Sequence, residues 1–402
     1  VQKQLMFSSN DDNYTQDGTS LMGFNSNGFT LGKDNSQRVN DGEETYQAIA
    51  FKAGDTITNI TSTCTGVSAA ERSVNVTGGF SIIKYTTNAS NVVLKHGLSS
   101  APTAMMLKRT DANSDWFFYN TKISGKGRGF VNSGNAFDNS GVPTFSSTDI
   151  TFQTNDPFSS GSEGIAYIWH DVTGLFKSGS YVGSDNASKG VSIDLGFKPK
   201  LVVIKNVDVT KNWYVYDNAR DTINHRDLEM YLNSNTASGN GGSSDNLLFQ
   251  SNGFRVTSAD SSVGDPNEYF YLAWAEIPAK YNLGDAIKSN TSKFINHTNT
   301  ASKYPEKYFK ALSYTGNDMS GRDIKLGFDP AMVWTKALQI GFYGMIHDKL
   351  RVKDSDYWLI PAETGGEGGD SGEANQRISS FNTDGYTISG TGNKSNLNNS
   401  SR

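Results

Sequence analysis

One segment, written three times, limits what this chain can fold into more than any other feature. Residues Asp194–Arg220, DLGFKPKLVVIKNVDVTKNWYVYDNAR, place Pro199 six residues before Lys205 and fourteen before Trp213. The six-residue step recurs from Pro102 to Lys108 and from Pro330 to Lys336, and the fourteen-residue step from Pro102 to Trp116. In the third copy Phe342 and Tyr343 stand near the Trp position. Each copy follows a glycine-centred triplet: His96-Gly97-Leu98, Leu195-Gly196-Phe197 or Leu326-Gly327-Phe328. Apolar segments held in one register at three places make the chain a repeat array.

The elements around these segments read as strands. Phe-x4-Tyr opens each repeat, at Phe80–Tyr85, Phe176–Tyr181 and Phe309–Tyr314. Tyr46–Phe51, Ile165–Trp169 and Tyr269–Trp274 have the period-two or continuous aromatic pattern of a closing strand. Phe24–Phe29 and Phe249–Phe254 both read Phe-x-Ser-Asn-Gly-Phe, with an altered copy at Phe381–Tyr386. An Asx-Gly pair between aromatics predicts a tight turn, because glycine tolerates positive φ and the Asx side chain bonds neighbouring backbone. Aromatics are plentiful (22 Phe, 18 Tyr, 6 Trp) and charged residues few, at 19%. That composition favours short strands joined by polar turns. The expected fold is all-β, in tandem antiparallel β-sandwich domains of jelly-roll or lectin-like type, stacked through aromatic surfaces.

Boundaries follow from the repeats. Residues 1–54 form the back half of a unit, 55–79 a connector, 80–175 the first sandwich and 176–276 the second. Residues 277–308 form a polar linker, and 309–402 a third sandwich without its closing strand. A sheet lacking a strand exposes an unpaired edge. Further polypeptide on both sides, or completion by a neighbouring chain, is therefore expected. The glycine-rich acidic stretch 355–380 is expected to be an exposed loop.

Leu195-Gly196-Phe197-x-Pro199 with Lys205, Asp217-x2-Arg220, Ser251-Asn252-Gly253-Phe254 and Tyr46–Gly54 together resemble a repeat of tailed-bacteriophage fibre and appendage proteins. The resemblance covers nearly the whole chain outside the linker. It implies a virion structural component, a tail fibre, appendage or decoration protein. Such a protein acts by homo-oligomeric assembly with other virion proteins, and by host-surface contact, as part of the extracellular particle. The first unit departs from the pattern: Asn120 and Ile123 replace Asp and Arg, and Ile150 replaces the second turn aromatic.

The repeated residues themselves point to folding roles. Asp217/Arg220 and Asp348/Arg351 are spaced to lock a strand-to-turn junction by a charge-assisted bond; binding of an acidic or sugar ligand is the alternative. Lys108, Lys205 and Lys336 are placed to cap strand ends with their stems over Trp or Tyr; a role in recognition is the alternative. Trp116, Phe117, Phe118 and Tyr119 are consecutive, so alternate members point to opposite faces. One pair faces a core; the other is the candidate for glycan or inter-subunit contact, which supports the alternative reading as a carbohydrate-binding adhesive module.

No enzyme is expected: the sequence carries no nucleophile-elbow, phosphate-loop or zinc-protease motif. His96, His170, His225, His297 and His347 lack ligand spacing, and one cysteine, Cys64, excludes a disulfide within the chain. Asp11–Gly18 alternates oxygen side chains as a calcium loop does, but without an EF-hand register; neither metal nor cofactor is expected. A net charge of −5 gives no footprint for nucleic acid, and no apolar run has bilayer-spanning length.

Overall fold

The computed structural model describes residues 3–6, 10–14, 21–32, 40, 42–43, 45–152, 158–184, 186, 190–240, 247–276, 305–317, 321–338, 344–351, 356–360, 364–369, 377–389 and 400–401. The architecture is all-β, with antiparallel sheets paired face to face in three units.

Each unit is built on one four-strand pattern. In the first unit the closing strand Glu163–Trp169 lies between the opening strand Phe80–Thr87 and the Pro-to-Lys strand Ala104–Arg109, with Phe117–Asn120 next. The second repeats this order as Phe176–Val182, Glu268–Ala275, Pro199–Asn206 and Trp213–Asp217. A small three-stranded sheet covers one face of each: Thr144–Phe145, Asp149–Phe152 and Val92–Lys95 in the first, Val191–Asp194, Gly253–Val256 and Leu247–Gln250 in the second. The predicted turn at Ser251-Asn252 joins the last two, with Phe249 opposite Phe254, whereas the other two copies of the motif lie within the continuous strands Leu21–Leu31 and Phe381–Ser389.

The third unit corrects the expectation of an unfilled edge. Its opening strand Phe309–Thr315 and Pro-to-Lys strand Met332–Ala337 flank Thr45–Phe51, the closing strand at the other end of the sequence. Phe309 and Met332 both pair with Phe51, as Phe176 and Leu201 pair with Trp274, and Phe80 and Ala104 with Trp169. The back half at the N-terminus thus closes the front half near the C-terminus. The expected connector 55–79 is likewise no connector: Thr58–Asn59 and Val67–Asn75 extend the first unit's large sheet. The linker residues 277–304 fall outside the described residues, whereas the stretch 355–380, expected to be a loop, carries the strands Asp356–Ile360 and Thr364–Gly369.

The units do not stack in a row as expected. They close a cycle around a shared core, because each large sheet is apolar on both faces. Along the closing strands, Ala166 and Ile168 face the first unit's own core, while Ile165, Tyr167 and Trp169 face the shared one. Phe270, Leu272 and Trp274 in the second unit, and Ile49 and Phe51 in the third, also enter the shared core. Strands buried on two sides read as continuous apolar runs. Phe-x4-Tyr has an odd spacing, so its ends point to opposite faces: Phe80, Phe176 and Phe309 enter the shared core, whereas Tyr85, Tyr181 and Tyr314 enter their own sandwiches.

The glycine triplets repeat in conformation as well as in sequence. Gly97, Gly196 and Gly327 have φ of 71°, 81° and 86°, the left-handed region that favours glycine. Each turns the chain from the small sheet back toward the Pro-to-Lys strand.

Candidate functional site at the seams between units

Three equivalent aromatic residues meet at the centre of the cycle. Phe51, Trp169 and Trp274 have centroid separations of 5.6, 5.3 and 6.4 Å, largely edge-to-face. Phe80 and Phe309 flank Phe51 at 5.4 Å each, and Phe176 lies 5.0 Å from Trp274. Every ring comes from the start of an opening strand or the end of a closing strand, so strand register alone brings the six together. Offset and edge-to-face ring pairs add to the free energy of area burial.

From this hub three seams run outward, each joining the fourth strand of one unit to the next unit. At the first, Phe118 packs 4.9 Å from Trp213 and 5.2 Å from Phe270, and the Trp213 indole N–H donates to the Phe130 carbonyl at 2.9 Å. Lys205 crosses the same seam and donates to the carbonyl of Gly134 at 3.0 Å. Lys336 repeats the move at the second, donating to the carbonyl of Ser234 at 2.8 Å. Lys108 donates within its own unit, to the Ser114 carbonyl at 2.6 Å. All three lysines are buried, and Lys205 also donates to the carbonyl of Asn206 at the end of its own strand, with its ammonium over the Phe137 ring. Desolvation disfavours an ammonium, and it pulls Lys205 and Lys336 each down to about 7.

Both Asp–Arg pairs lock a strand end, as their spacing predicts. Arg220 Nε donates to Asp217 Oδ2 at 2.5 Å, and its NH2 donates to the Val215 carbonyl at 2.8 Å. The amides of Ala219 and Arg220 both donate to Asp217 Oδ1 at 2.9 Å. Arg351 Nε holds Asp348 Oδ2 at 2.5 Å in the same way and also crosses the third seam, where its NH2 donates to the Tyr167 hydroxyl at 2.9 Å. Tyr167 in turn donates to Asp348. The first unit achieves the turn without a charge. The amides of Lys122 and Ile123 donate to Asn120 Oδ1 at 3.0 Å, and Ile123 is buried where arginine stands elsewhere.

The consecutive aromatics divide between two cores. Trp116 and Phe118 enter the shared core; Tyr119, with half-buried Phe117 against it, enters the first sandwich. Their surplus over one core is thus taken up by contact with the neighbouring unit of the same chain. Pro102, Pro199 and Pro330 are buried beside the ends of the closing strands, where no amide is needed. Phe342 and Tyr343, and residues 15–18 of the oxygen-rich segment, lie outside the described residues. Among the described residues, no three His, Cys, Asp or Glu side chains group as metal ligands would.

Sequence reasoning missed Tyr167, Phe51 as a hub residue, and two equivalent asparagines. Asn132 and Asn233 each accept from the amide that begins a fourth strand, that of Trp116 at 2.9 Å and Trp213 at 2.8 Å. They follow those tryptophans by sixteen and twenty residues, so no fixed spacing marks them.

Residues 1–278 and 304–402 match a family described as Domain of unknown function (DUF7483). The chain belongs to this family. The break in the match falls in the linker between the second unit and the third, so the DUF7483 match spans all three sandwiches. No curated protein and no solved structure matches the chain.

Proposed function

We propose that this DUF7483 chain is a non-catalytic structural component of a bacteriophage virion, a tail fibre, appendage or decoration protein that acts by assembly and host-surface contact. One observation supports the reading above the others: the residues that recur from unit to unit are spent on the hub, the seams and the turns. Lys205 and Lys336 hold seam carbonyls, and Asp217/Arg220 and Asp348/Arg351 hold strand ends. A chain whose repeated residues serve cohesion suits a rigid building block. Three related units gathered on one shared core also suit a building block that holds its shape in an assembly.

The test is to purify virions that encode the chain, identify their proteins by mass spectrometry, and locate this one by electron microscopy. The chain is expected at stoichiometric copy number, at a repeated position on the tail or capsid surface. Its absence from purified particles would defeat the proposal. So would turnover of capsular polysaccharide that a single carboxylate substitution abolishes.

A further inference from the structure

Two joins between units are built from matching positions but closed differently. Between the first and second units, Asp171 fills the join. Its Oδ1 accepts from the Thr103 hydroxyl at 3.0 Å and from the amide and hydroxyl of Ser178 at 2.9 and 2.8 Å. Its Oδ2 accepts from the Lys122 ammonium at 2.7 Å. Asp171 stands two residues after Trp169, Thr103 one after Pro102, and Ser178 two after Phe176. The repeat places Glu276, Lys200 and Ala311 at the same points between the second and third units.

At this second join the carboxylate is drawn aside. Glu276 Oε2 pairs with the Lys198 ammonium at 2.6 Å, and its Oε1 accepts from Asn218 Nδ2 at 2.5 Å. A bulge sets Lys200 apart from the ladder, since Pro199 pairs with Ala275 and Leu201 with Trp274; such bulges re-aim a side chain. Among the described residues the Lys200 ammonium has no acceptor. Half-buried, it is pulled below the ordinary lysine value by desolvation. The Ala311 amide is in the same position. Lys52 donates across the ladder to the Tyr308 carbonyl at 3.0 Å, so alternation turns the backbone of Ala311 to the outer edge of Phe309–Thr315. The Ser178 amide is turned outward in the same way, onto Asp171.

Both groups line one cleft. Lys200, Ala275 and Glu276 of the second unit and Phe309, Lys310 and Ala311 of the third surround about 150 Å³, room for about five waters at about 30 Å³ each. Lys310 donates to the carbonyls of Lys325 and Leu326 at 3.4 and 3.2 Å. With Lys198 and Lys200 it leaves the cleft positive, since Glu276 is the one carboxylate in its lining. Ala275, Phe309 and Ala311 form an apolar wall. A phosphate, polar on every side, would press unpaired oxygens against that wall, which costs free energy. A carboxylate on a short carbon body meets the ammonium with one end and the wall with the other.

We propose that this cleft binds a carboxylate group, either a short free acid or the acid group of a sugar, with the Lys200 ammonium and the Ala311 amide as its donors. The ligand takes the place at the second join that Asp171 takes at the first. It supplies a charged acceptor to an ammonium that burial has partly stripped of water, and it ties the second unit to the third. The inference holds whether or not the chain belongs to a particle.

The test titrates the nitrogen-15-labelled full-length chain with sodium acetate and, separately, with sodium D-glucuronate. Sodium chloride holds the ionic strength constant, and the amide resonance of Ala311 is followed. Saturable movement of that resonance is expected. Equal midpoints mean that the carboxylate alone is recognised, and a lower midpoint for glucuronate means that a sugar acid is the ligand. Lys200→Met should raise the midpoint about tenfold, the worth of one charge-assisted hydrogen bond. Lys200→Thr/Glu276→Asp/Ala311→Ser, which copies Thr103, Asp171 and Ser178, should fill the join from within and abolish saturation at position 311. Shifts that never saturate with either acid, a midpoint unchanged by Lys200→Met, or saturation that survives the triple change each overturn the proposal. If a variant does not fold by circular dichroism, the titration of the unsubstituted chain decides.

Discussion

Replacing Phe51 by alanine should weaken all three units together, although the residue belongs to only one of them. Phe51 is 4% exposed and its ring meets rings from every unit: Phe80 and Trp169, Trp274, and Phe309. A buried phenylalanine removes roughly 150–250 Å² from water. At about 25 cal/mol per Å², full burial is worth roughly 4–6 kcal/mol. Alanine retains part of this and leaves a cavity that rigid neighbours refill poorly, so the expected loss is about 3–5 kcal/mol. The assay is urea unfolding followed by tryptophan emission and by far-ultraviolet circular dichroism. Trp169 and Trp274 report from the hub, while dichroism reports on every sheet. If the hub is one common core, both probes should give a single transition at a lower midpoint. Two transitions, with the larger remaining at the wild-type midpoint, would mean that the units are independent beads and that the hub argument is wrong.

Other outcomes follow from the seams and turns. Arg220→Ile should cost about 3–5 kcal/mol, because it strands the buried Asp217 carboxylate. The double change Asp217→Asn/Arg220→Ile, which copies Asn120 and Ile123 of the first unit, should recover most of that in urea titrations. Burial holds Lys205 and Lys336 at about 7 in the folded chain against the ordinary lysine value of 10.5, so between those limits the unfolded chain binds more protons. Stability should therefore rise with pH between about 7.5 and 9.5, by about 1 kcal/mol per unit for each lysine, before buried tyrosines reverse the trend. Lys205→Met should flatten that slope in unfolding titrations across the same range. Gly196→Ala, with φ of 81° and no atom within 4 Å of an added Cβ, should cost about 1–2 kcal/mol through backbone strain alone, measured as a lowered urea midpoint.

Much of this fold was legible in the sequence because the repeat writes each element three times. The spacing from Pro to Lys located the second large-sheet strand of each unit, and the Asx-Gly pair at Asn252-Gly253 located a turn. The Asp–Arg lock was legible too, since three residues is the reach from a strand end to its own turn. What spacing could not show was where the far faces go. Phe118 and Tyr167 look like any alternating strand residues; only the way the sheets meet makes one pack on Trp213 and the other bond Arg351. The second partner of the lysines was hidden for a related reason. A lysine after an apolar run ordinarily reaches water, and the next unit's carbonyl replaces water here only because the cycle closes over it.

The seating of Thr45–Phe51 between Phe309–Thr315 and Met332–Ala337 also sets an order of assembly. A ribosome delivers residues 45–51 before any strand of the two central sandwiches, yet their partners leave the tunnel more than 250 residues later. The central sandwiches can be complete while that early strand still waits, its apolar side chains uncovered. Contacts so distant along the chain form slowly, so this early strand is among the last to be paired, and it is then that the middle of the molecule becomes dry.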